Sequence, residues 1–315
     1  MSRLARVTPG SRPTRLGHDR RAQAQAGRHA DGIQYLEAAR SLGRLDAPTL
    51  PIGAWERADS ASFLAHYPPG YPLAMAPLTA AGVSPPLAAV VVMALAAALT
   101  LALAVELAAL AGGGAAGGWI AAVLVGTSPE WIRLHTAVWS EPLYLSLLAL
   151  SLLVMVRSPD RSGVHGLLAL ACTAVRYVGL SVVAAATLLA WSRGGPPAQR
   201  LRRSALAAGP GLLFLIGWQA LVSANGGAVR SAGLYPGWGA WLKALPEAAL
   251  ASAAPVGGAW AGAVVVLGAL ALIVRSGLWR TEGTGDGEPR AWRRLVGLAA
   301  AVSAFHLLVV IAARA

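Results

Sequence analysis

Two carboxylates stand beside apolar runs, where they could carry out acid–base chemistry at a membrane surface. Asp31 opens an acidic amphipathic segment, and Glu141 opens the run that follows Ser140. Either carboxylate could act as a general base or orient an acceptor hydroxyl. Glu141 could also bind an acceptor or a divalent cation, and the sequence indicates no other cofactor. Both are therefore candidate catalytic residues.

Arg176 and Tyr177 interrupt an apolar stretch. An arginine in such a stretch costs several kcal/mol unless it is paired or hydrated, which makes it a functional candidate. A guanidinium group binds phosphate through two parallel hydrogen bonds. We expect Arg176 to contact a lipid phosphate. The structural alternative is an ion pair with Glu141 or Glu130.

Aromatic and basic residues near these groups complete the candidate substrate site. Tyrosines also anchor proteins at headgroup depth, and a lone histidine is often a simple hydrogen-bonding residue, so each has a structural alternative. With Arg176, the candidates are Tyr35, Tyr67, Pro68, Tyr71, His135, Tyr144, Tyr177, Arg230 and Lys243.

Local patterns predict the elements that position these residues. Ile33, Leu36, Ala39 and Leu42 recur at helical spacing, which predicts an amphipathic helix in the membrane interface with Asp31 at its N-cap. The prolines of YPPGYP predict a rigid turn ahead of a short helix over Leu73–Ala81. Ser140 can cap the next helix, with Glu141 and Pro142 in its first turn.

The composition predicts a polytopic membrane protein. The chain has 315 residues, of which 56% are hydrophobic and 13% charged, and its mean hydropathy is +0.57. The net charge of +12 comes from arginines between apolar runs, as in cytoplasmic loops, so nucleic acid is not expected as a partner. The single cysteine, Cys172, excludes an internal disulfide and metal sites that need several cysteines; it is read as a small buried apolar residue.

Seven apolar runs of the sequence are candidate spans, and some are short enough to need support from neighbouring helices. They are Pro86–Ala111, Gly117–Thr127, Glu141–Val156, Val164–Trp191, Ala205–Val222, Ala259–Val274 and Leu295–Ala313. The expected class is an all-α bundle of about seven or eight spanning or half-spanning helices, with interfacial helices in the first external loop.

Charge bias predicts which side of the membrane each loop faces. Three basic loops should be cytoplasmic: one with Arg157 and Arg161, one with Arg193, Arg200, Arg202 and Arg203, and one between residues 275 and 294. Since basic loops flank Val164–Trp191, we predict a helical hairpin with Arg176 and Tyr177 at its external tip. The external segments are then residues 31–82, Pro129–Trp139 and residues 223–258, and Gly112–Gly117 lies inside, so all the candidate residues face outside.

Residues 1–30 contain seven arginines and no apolar span. We expect a basic, disordered tail ahead of a membrane domain over residues 31–315. The tail should not cross the membrane unaided, which favours a missing N-terminal spanning helix. The chain also stops inside its last apolar run, which favours an incomplete C-terminus as well.

An ordered set of motifs resembles one group of membrane enzymes. The set is DGIQYLEAARSL, YPPGYPLAMAP, TSPEWIRLHTAVWSEPLYLSLLALSLL and AVRYVGLSVV. It resembles the GT-C superfamily of integral-membrane glycosyltransferases, closest to the dolichyl-phosphate-mannose–protein mannosyltransferase-like or RgtA/B/C/D-like group. The resemblance covers most of residues 31–260. It departs from that group where Gly32 follows Asp31 in place of a second acidic residue, and where no spanning helix precedes the motif.

The resemblance implies an inverting transfer of a sugar from a polyprenyl-phosphate donor, at the outer face of the inner (plasma) membrane. Asp31 would be the base or orient the acceptor, which could be a lipid, a glycan or a protein. Two alternatives stay open: a flippase or transporter of lipid-linked sugars, and a non-catalytic truncated membrane protein. A transporter would place paired charges near the middle of its spans.

Overall fold

A computed structural model of the chain describes residues 30–50, 62–64, 67–225, 296–299 and 302. Apart from turns, these residues are helical, with one two-residue antiparallel ladder between β1 (Thr49–Leu50) and β2 (Ser62–Phe63). The expected all-α class is confirmed for this part of the chain. The basic tail, the second large external loop and the last basic loop lie outside the described residues, as do most of the last two expected spans.

Residues 296–299 and 302 are helical, and the described chain up to residue 225 contains nine further α-helices. They are α1 (Ala30–Gly43), α2 (Gly70–Ala80), α3 (Pro85–Ala108), α4 (Gly114–Gly126), α5 (Pro129–Thr136), α6 (Glu141–Arg157), α7 (Ser162–Val175), α8 (Leu180–Ser192) and α9 (Pro197–Ala224). A π-helical turn, Ala109–Gly113, extends α3, and a 3-10 turn, Tyr177–Gly179, joins α7 to α8.

Two of the described helices are long and apolar enough to cross a bilayer. They are Pro85–Ala111, which is α3 with its extension, and Pro197–Ala224, which is α9. At 1.5 Å per residue they reach about 40 Å, against a hydrocarbon thickness of about 30 Å. Both expose large apolar side chains, among them Leu95 on α3 and Leu213 on α9. Helices α4, α7 and α8 are shorter, at 13 or 14 residues.

Helices α7 and α8 form the expected hairpin, packed along α9. Gly166 of α7 lies against the Leu206 backbone, and a Cβ at Gly211 would meet the Val183 side chain of α8. Near the end of α9, Trp218 Nε1 donates to the Tyr177 hydroxyl at 3.2 Å. Helix α7 therefore runs parallel to α9 and α8 runs back, so that Arg176 and Tyr177 lie at the tip.

The relative directions of the helices give the bundle two distinct ends. Helices α3 and α6 run parallel. Glu106 pairs with Arg157 at their C-terminal ends, and near the start of α6 Val138 and Leu143 pack against the cluster that contains Val92 of α3. The aromatic end consists of α1, α2, residues 137–141 and Arg176. The basic end consists of Glu106, residues 157–161 and residues 193–203. Among the described residues, those expected outside thus lie at one end, and those expected in the cytoplasm lie at the other.

Two local expectations were wrong. Helix α2 begins at Gly70, with Tyr71 and Pro72 in its first turn, because a proline there needs no hydrogen-bond donor. Arg200, Arg202 and Arg203 lie in the first two turns of α9 because Pro197 starts the helix well before the apolar run.

The apolar core lies between the hairpin, α6 and α9. Met155, Cys172, Val182 and Ala186 are buried there together, so Cys172 is the buried apolar residue that the sequence suggested. A second cluster joins α1 and α2 to the start of α3 through Tyr35, Tyr71, Met75 and Met93. The second cluster fixes the interfacial helices on the aromatic end of the bundle.

Candidate site at the aromatic end

Four polar side chains meet where α1, the start of α6 and the hairpin tip come together. Arg176 forms an ion pair with Glu141 and donates from Nη1 to the Ser140 hydroxyl at 3.3 Å. The Tyr35 hydroxyl lies 3.1 Å from the same Ser140 oxygen. The structural alternative considered for Arg176, a pair with Glu141, is therefore formed. It brings a predicted catalytic carboxylate and a predicted phosphate ligand into direct contact.

Two glycines let the backbones approach closely enough for these contacts. A Cβ at Gly32 would lie 3.2 Å from the Val138 carbonyl oxygen, two residues before Ser140. A Cβ at Gly70 would lie 2.5 Å from the backbone of Ala174, two residues before Arg176. Both α1 and the YPPG turn are thus seated directly on the residues that flank the site.

Tyr35, Tyr67 and Tyr71 form an aromatic layer beside this polar group. The Tyr35 ring centroid is 5.1 Å from that of Tyr67 and 5.2 Å from that of Tyr71, the latter in an edge-to-face arrangement. Pro68 is fully buried in the turn that carries Tyr67. These residues form a wall, and the expected rigid role of the YPPGYP segment agrees with that packing.

Burial dominates the ionisation of the two inner tyrosines. It raises the pKa of Tyr35 far above the usual range, although the Ser140 hydrogen bond and the Arg176 charge partly oppose this. Burial also raises the pKa of Tyr71, and the nearby Tyr35 and Glu141 raise it further. Both hydroxyls stay protonated at neutral pH. The Tyr71 hydroxyl is buried and has no hydrogen-bond partner among the described residues.

Ser140 is the residue whose role the sequence misassigned. Its side chain makes no capping hydrogen bond to α6, since the backbone at Ser140 is itself close to helical, with φ −81° and ψ −11°. The hydroxyl points to Tyr35 and Arg176 instead. A serine before Glu-Pro is a typical cap pattern, so sequence alone could not indicate the inward contact.

Asp31 lies in the first turn of α1, because the helix begins one residue earlier, at Ala30. Asp31 is therefore the second helical residue and not the N-cap that the sequence suggested. Asp31 precedes Gly32, whose backbone lies close to Val138. The side chain of Asp31 lies outside the described residues. Arg230 and Lys243 lie outside them as well.

Three other candidates lie near the site but not in its polar group. Tyr144 places its hydroxyl 3.5 Å from Ser181 Oγ, which ties α6 to α8. Tyr177 accepts from Trp218 and ties the hairpin tip to α9. His135 Nδ1 lies 2.8 Å from the Trp131 carbonyl oxygen, within α5. These hydrogen bonds join helices or lie within one helix.

Arg176 retains binding capacity despite its two partners. Both contacts use Nη1, so Nε and Nη2 are unpartnered within the described ranges. The side chain is 34% exposed, and that of Glu141 is 32% exposed. The guanidinium therefore has one edge held by protein and another open to an anionic group.

Metal binding has no support from the described side chains. Among them, no group of three or more histidine, cysteine, aspartate or glutamate residues could hold an ion. A divalent cation at Glu141 stays a prediction.

Comparisons with protein-family models, with curated proteins and with solved structures return no match for this chain.

Proposed function

We propose that this protein is a membrane glycosyltransferase that moves a sugar from a polyprenyl-phosphate donor to a hydroxyl acceptor at the aromatic end. The observation that carries the proposal is the junction of Arg176, Glu141, Ser140 and Tyr35, backed by the aromatic layer. An open guanidinium edge suits a phosphate, and aromatic faces suit a sugar or a prenyl chain. The motif order that resembles the GT-C superfamily supports the same reading.

The membrane part of the proposal rests on the exposed apolar surface and on charge. Exposed Leu and Ile side chains of α3 and α9 suit contact with lipid. The arginines of the basic end suit cytoplasmic loops, which favours an inner-membrane protein with the aromatic end outside. A bundle of seven or eight membrane helices belongs to this proposal.

The reaction we propose is a direct displacement at the anomeric carbon. The acceptor oxygen forms the new glycosidic bond while the bond from that carbon to the phosphate oxygen breaks. The acceptor proton passes to the Asp31 carboxylate. The polyprenyl phosphate leaves with its negative charge, which Arg176 stabilises. Glu141 and Ser140 hold the guanidinium in place.

Asp31→Asn should lower transfer by about two to four orders of magnitude, because the amide cannot accept the proton. Transfer is measured on the purified full chain with radiolabelled polyprenyl-phosphate mannose, polyprenyl-phosphate aminoarabinose and a membrane-lipid extract as acceptor. Asp46→Asn is the matched control, since Asp46 is exposed in the turn after α1. Retained activity in Asp31→Asn removes that residue from the role, and no transfer by the parent chain counts against the function.

Arg176→Lys should raise the donor KM more than it lowers kcat. Lysine keeps the charge but loses the planar fork that binds phosphate. Arg44→Lys, at an exposed position, is the control. An unchanged donor KM would contradict the assignment of Arg176.

The transporter alternative has less support. Glu106, the acidic residue in the first long span, lies near the end of α3 and pairs with Arg157, away from mid-helix. A transporter would move the labelled lipid-linked sugar across vesicles without forming a glycoside, which the same donors can test.

A further inference from the structure

The basic end carries more positive charge than its carboxylates neutralise. Arg157 pairs with Glu106, and Arg193 pairs with Asp160. Arg161, Arg200, Arg202 and Arg203 have no carboxylate partner among the described residues. The first turn of α9 holds no acidic residue, so the positive end of the helix dipole adds to this charge.

Two of these arginines are held in fixed positions by one short loop. Arg203 Nη1 donates to the carbonyl oxygens of Arg193 at 2.9 Å and Gly194 at 3.1 Å. Arg200 Nε donates to the Gly195 carbonyl oxygen at 2.9 Å. Gly195 has φ +106°, a left-handed conformation that favours glycine and turns the loop back toward the helix.

The loop thus orients two guanidinium groups without neutralising them. Arg200 uses only Nε, and Arg203 uses only Nη1, so each keeps other N–H donors for an anion. Arg193, at the start of the same loop, is paired with Asp160 and is not counted with them. We name Arg200 and Arg203 the arginine cluster. Paired planar donors of this kind match the oxygens of a phosphate group.

We propose that the arginine cluster is a binding site for the phosphate of an anionic membrane lipid, such as phosphatidylglycerol. The lipid source is favoured because the apolar face of α9 begins directly beyond the cluster. Exposed Leu206 and Leu213 follow Arg203 by three and ten residues and so lie toward its side of the helix, where acyl chains can pack while the headgroup meets the arginines. The site is at the opposite end from Arg176. This lipid-binding proposal depends on the part of the proposed function that places the protein in a membrane, and it does not depend on sugar transfer.

Lipid retention by the full chain in neutral detergent tests this site. The protein is titrated with dihexanoyl phosphatidylglycerol, and native mass spectrometry measures the fraction of protein with bound lipid. Dihexanoyl phosphatidylcholine is the neutral comparison. Arg200→Gln with Arg203→Gln should weaken phosphatidylglycerol binding by at least about tenfold, from about fivefold for each arginine near an anionic surface. Arg202→Gln with Arg161→Gln removes the same charge from exposed positions and should weaken binding clearly less, because the loop carbonyls orient Arg200 and Arg203 instead.

Three results would overturn the proposal. One is equal retention of both lipids by the parent chain. Another is an equal loss in the two double variants, which would show a diffuse charge effect. The third is competition by inorganic phosphate or glycerol 3-phosphate at the same concentration as the lipid, which would show a soluble-anion site. The double variant Arg200→Lys with Arg203→Lys guards against misfolding, because it keeps the charge and should bind with intermediate strength. Sugar transfer is not measured, so a failed proposed function cannot produce any of these results.

Discussion

Tyr35 and Tyr71 are chemically alike, equally buried and in ring contact, yet one hydroxyl is satisfied and the other is not. Tyr35→Phe should destabilise the protein by about 1 kcal/mol, because it removes the hydrogen bond to Ser140. Tyr71→Phe should be neutral or stabilising, because its hydroxyl has no partner among the described residues. Thermal unfolding in detergent measures both changes. Equal destabilisation by the two substitutions would show that Tyr71 has a partner, such as a bound water molecule.

The same tyrosines predict a loss of stability at alkaline pH. Their pKa values are raised in the folded protein, so the folded state keeps its protons above pH ~10, where unfolded tyrosines lose theirs. The unfolded state is then favoured as pH rises, by about 1 kcal/mol per pH unit for each tyrosine. Unfolding midpoints at pH 8 to 11 measure the slope, which should be smaller in Tyr71→Phe. An unchanged slope would rule out these groups as the cause.

At the scale of elements, close packing of α7 on α9 depends on a glycine. A Cβ at Gly166 would lie 2.1 Å from the Leu206 carbonyl oxygen, which cannot move without displacing the helix. Gly166→Ala should therefore destabilise the protein by about 1–3 kcal/mol. Gly163→Ala is the matched control on the same helix, where nothing lies within 4 Å, and it should stabilise by up to about 1 kcal/mol. Thermal unfolding compares them, and a destabilised Gly163→Ala would contradict this packing.

The elements were more predictable than their contacts. The hairpin followed from charge, because the basic loops on both sides of Val164–Trp191 require an even number of crossings. The amphipathic spacing gave α1, although its buried face centres on Tyr35, Leu36, Ala38 and Ala39 rather than on Ile33 and Leu42. The helix starts of α2 and α9 were predicted wrongly, because prolines that suggested a turn or loop lie in the first turn of each helix. There the sequence pattern of a turn and that of a helix start are the same.

The candidate site could be predicted only in part. Arg176 and Glu141 stood out because a charge beside an apolar run needs a partner. The link through Ser140 and Tyr35 spans more than 100 residues of sequence, and it depends on the close approach at Gly32 and Gly70. Local pattern carries no information on such contacts. His135 stays a prediction: its Nδ1 contact lies within α5, and its buried Nε2 has no hydrogen-bond partner among the described residues.

At the scale of the whole molecule, the bundle has an aromatic end and a basic end, and this difference predicts its orientation in the membrane. Thr136→Cys and Gln199→Cys are exposed positions at the two ends, and Cys172→Ala removes the native thiol. An impermeant maleimide added to intact cells should label Thr136→Cys and not Gln199→Cys, because basic segments remain in the cytoplasm. Permeabilisation should then allow labelling of Gln199→Cys, which controls for reactivity. Labelling of Gln199→Cys from outside would reverse the orientation and place Arg176 and Glu141 in the cytoplasm. Labelling of both positions in intact cells would show that the bundle does not cross the membrane in one orientation.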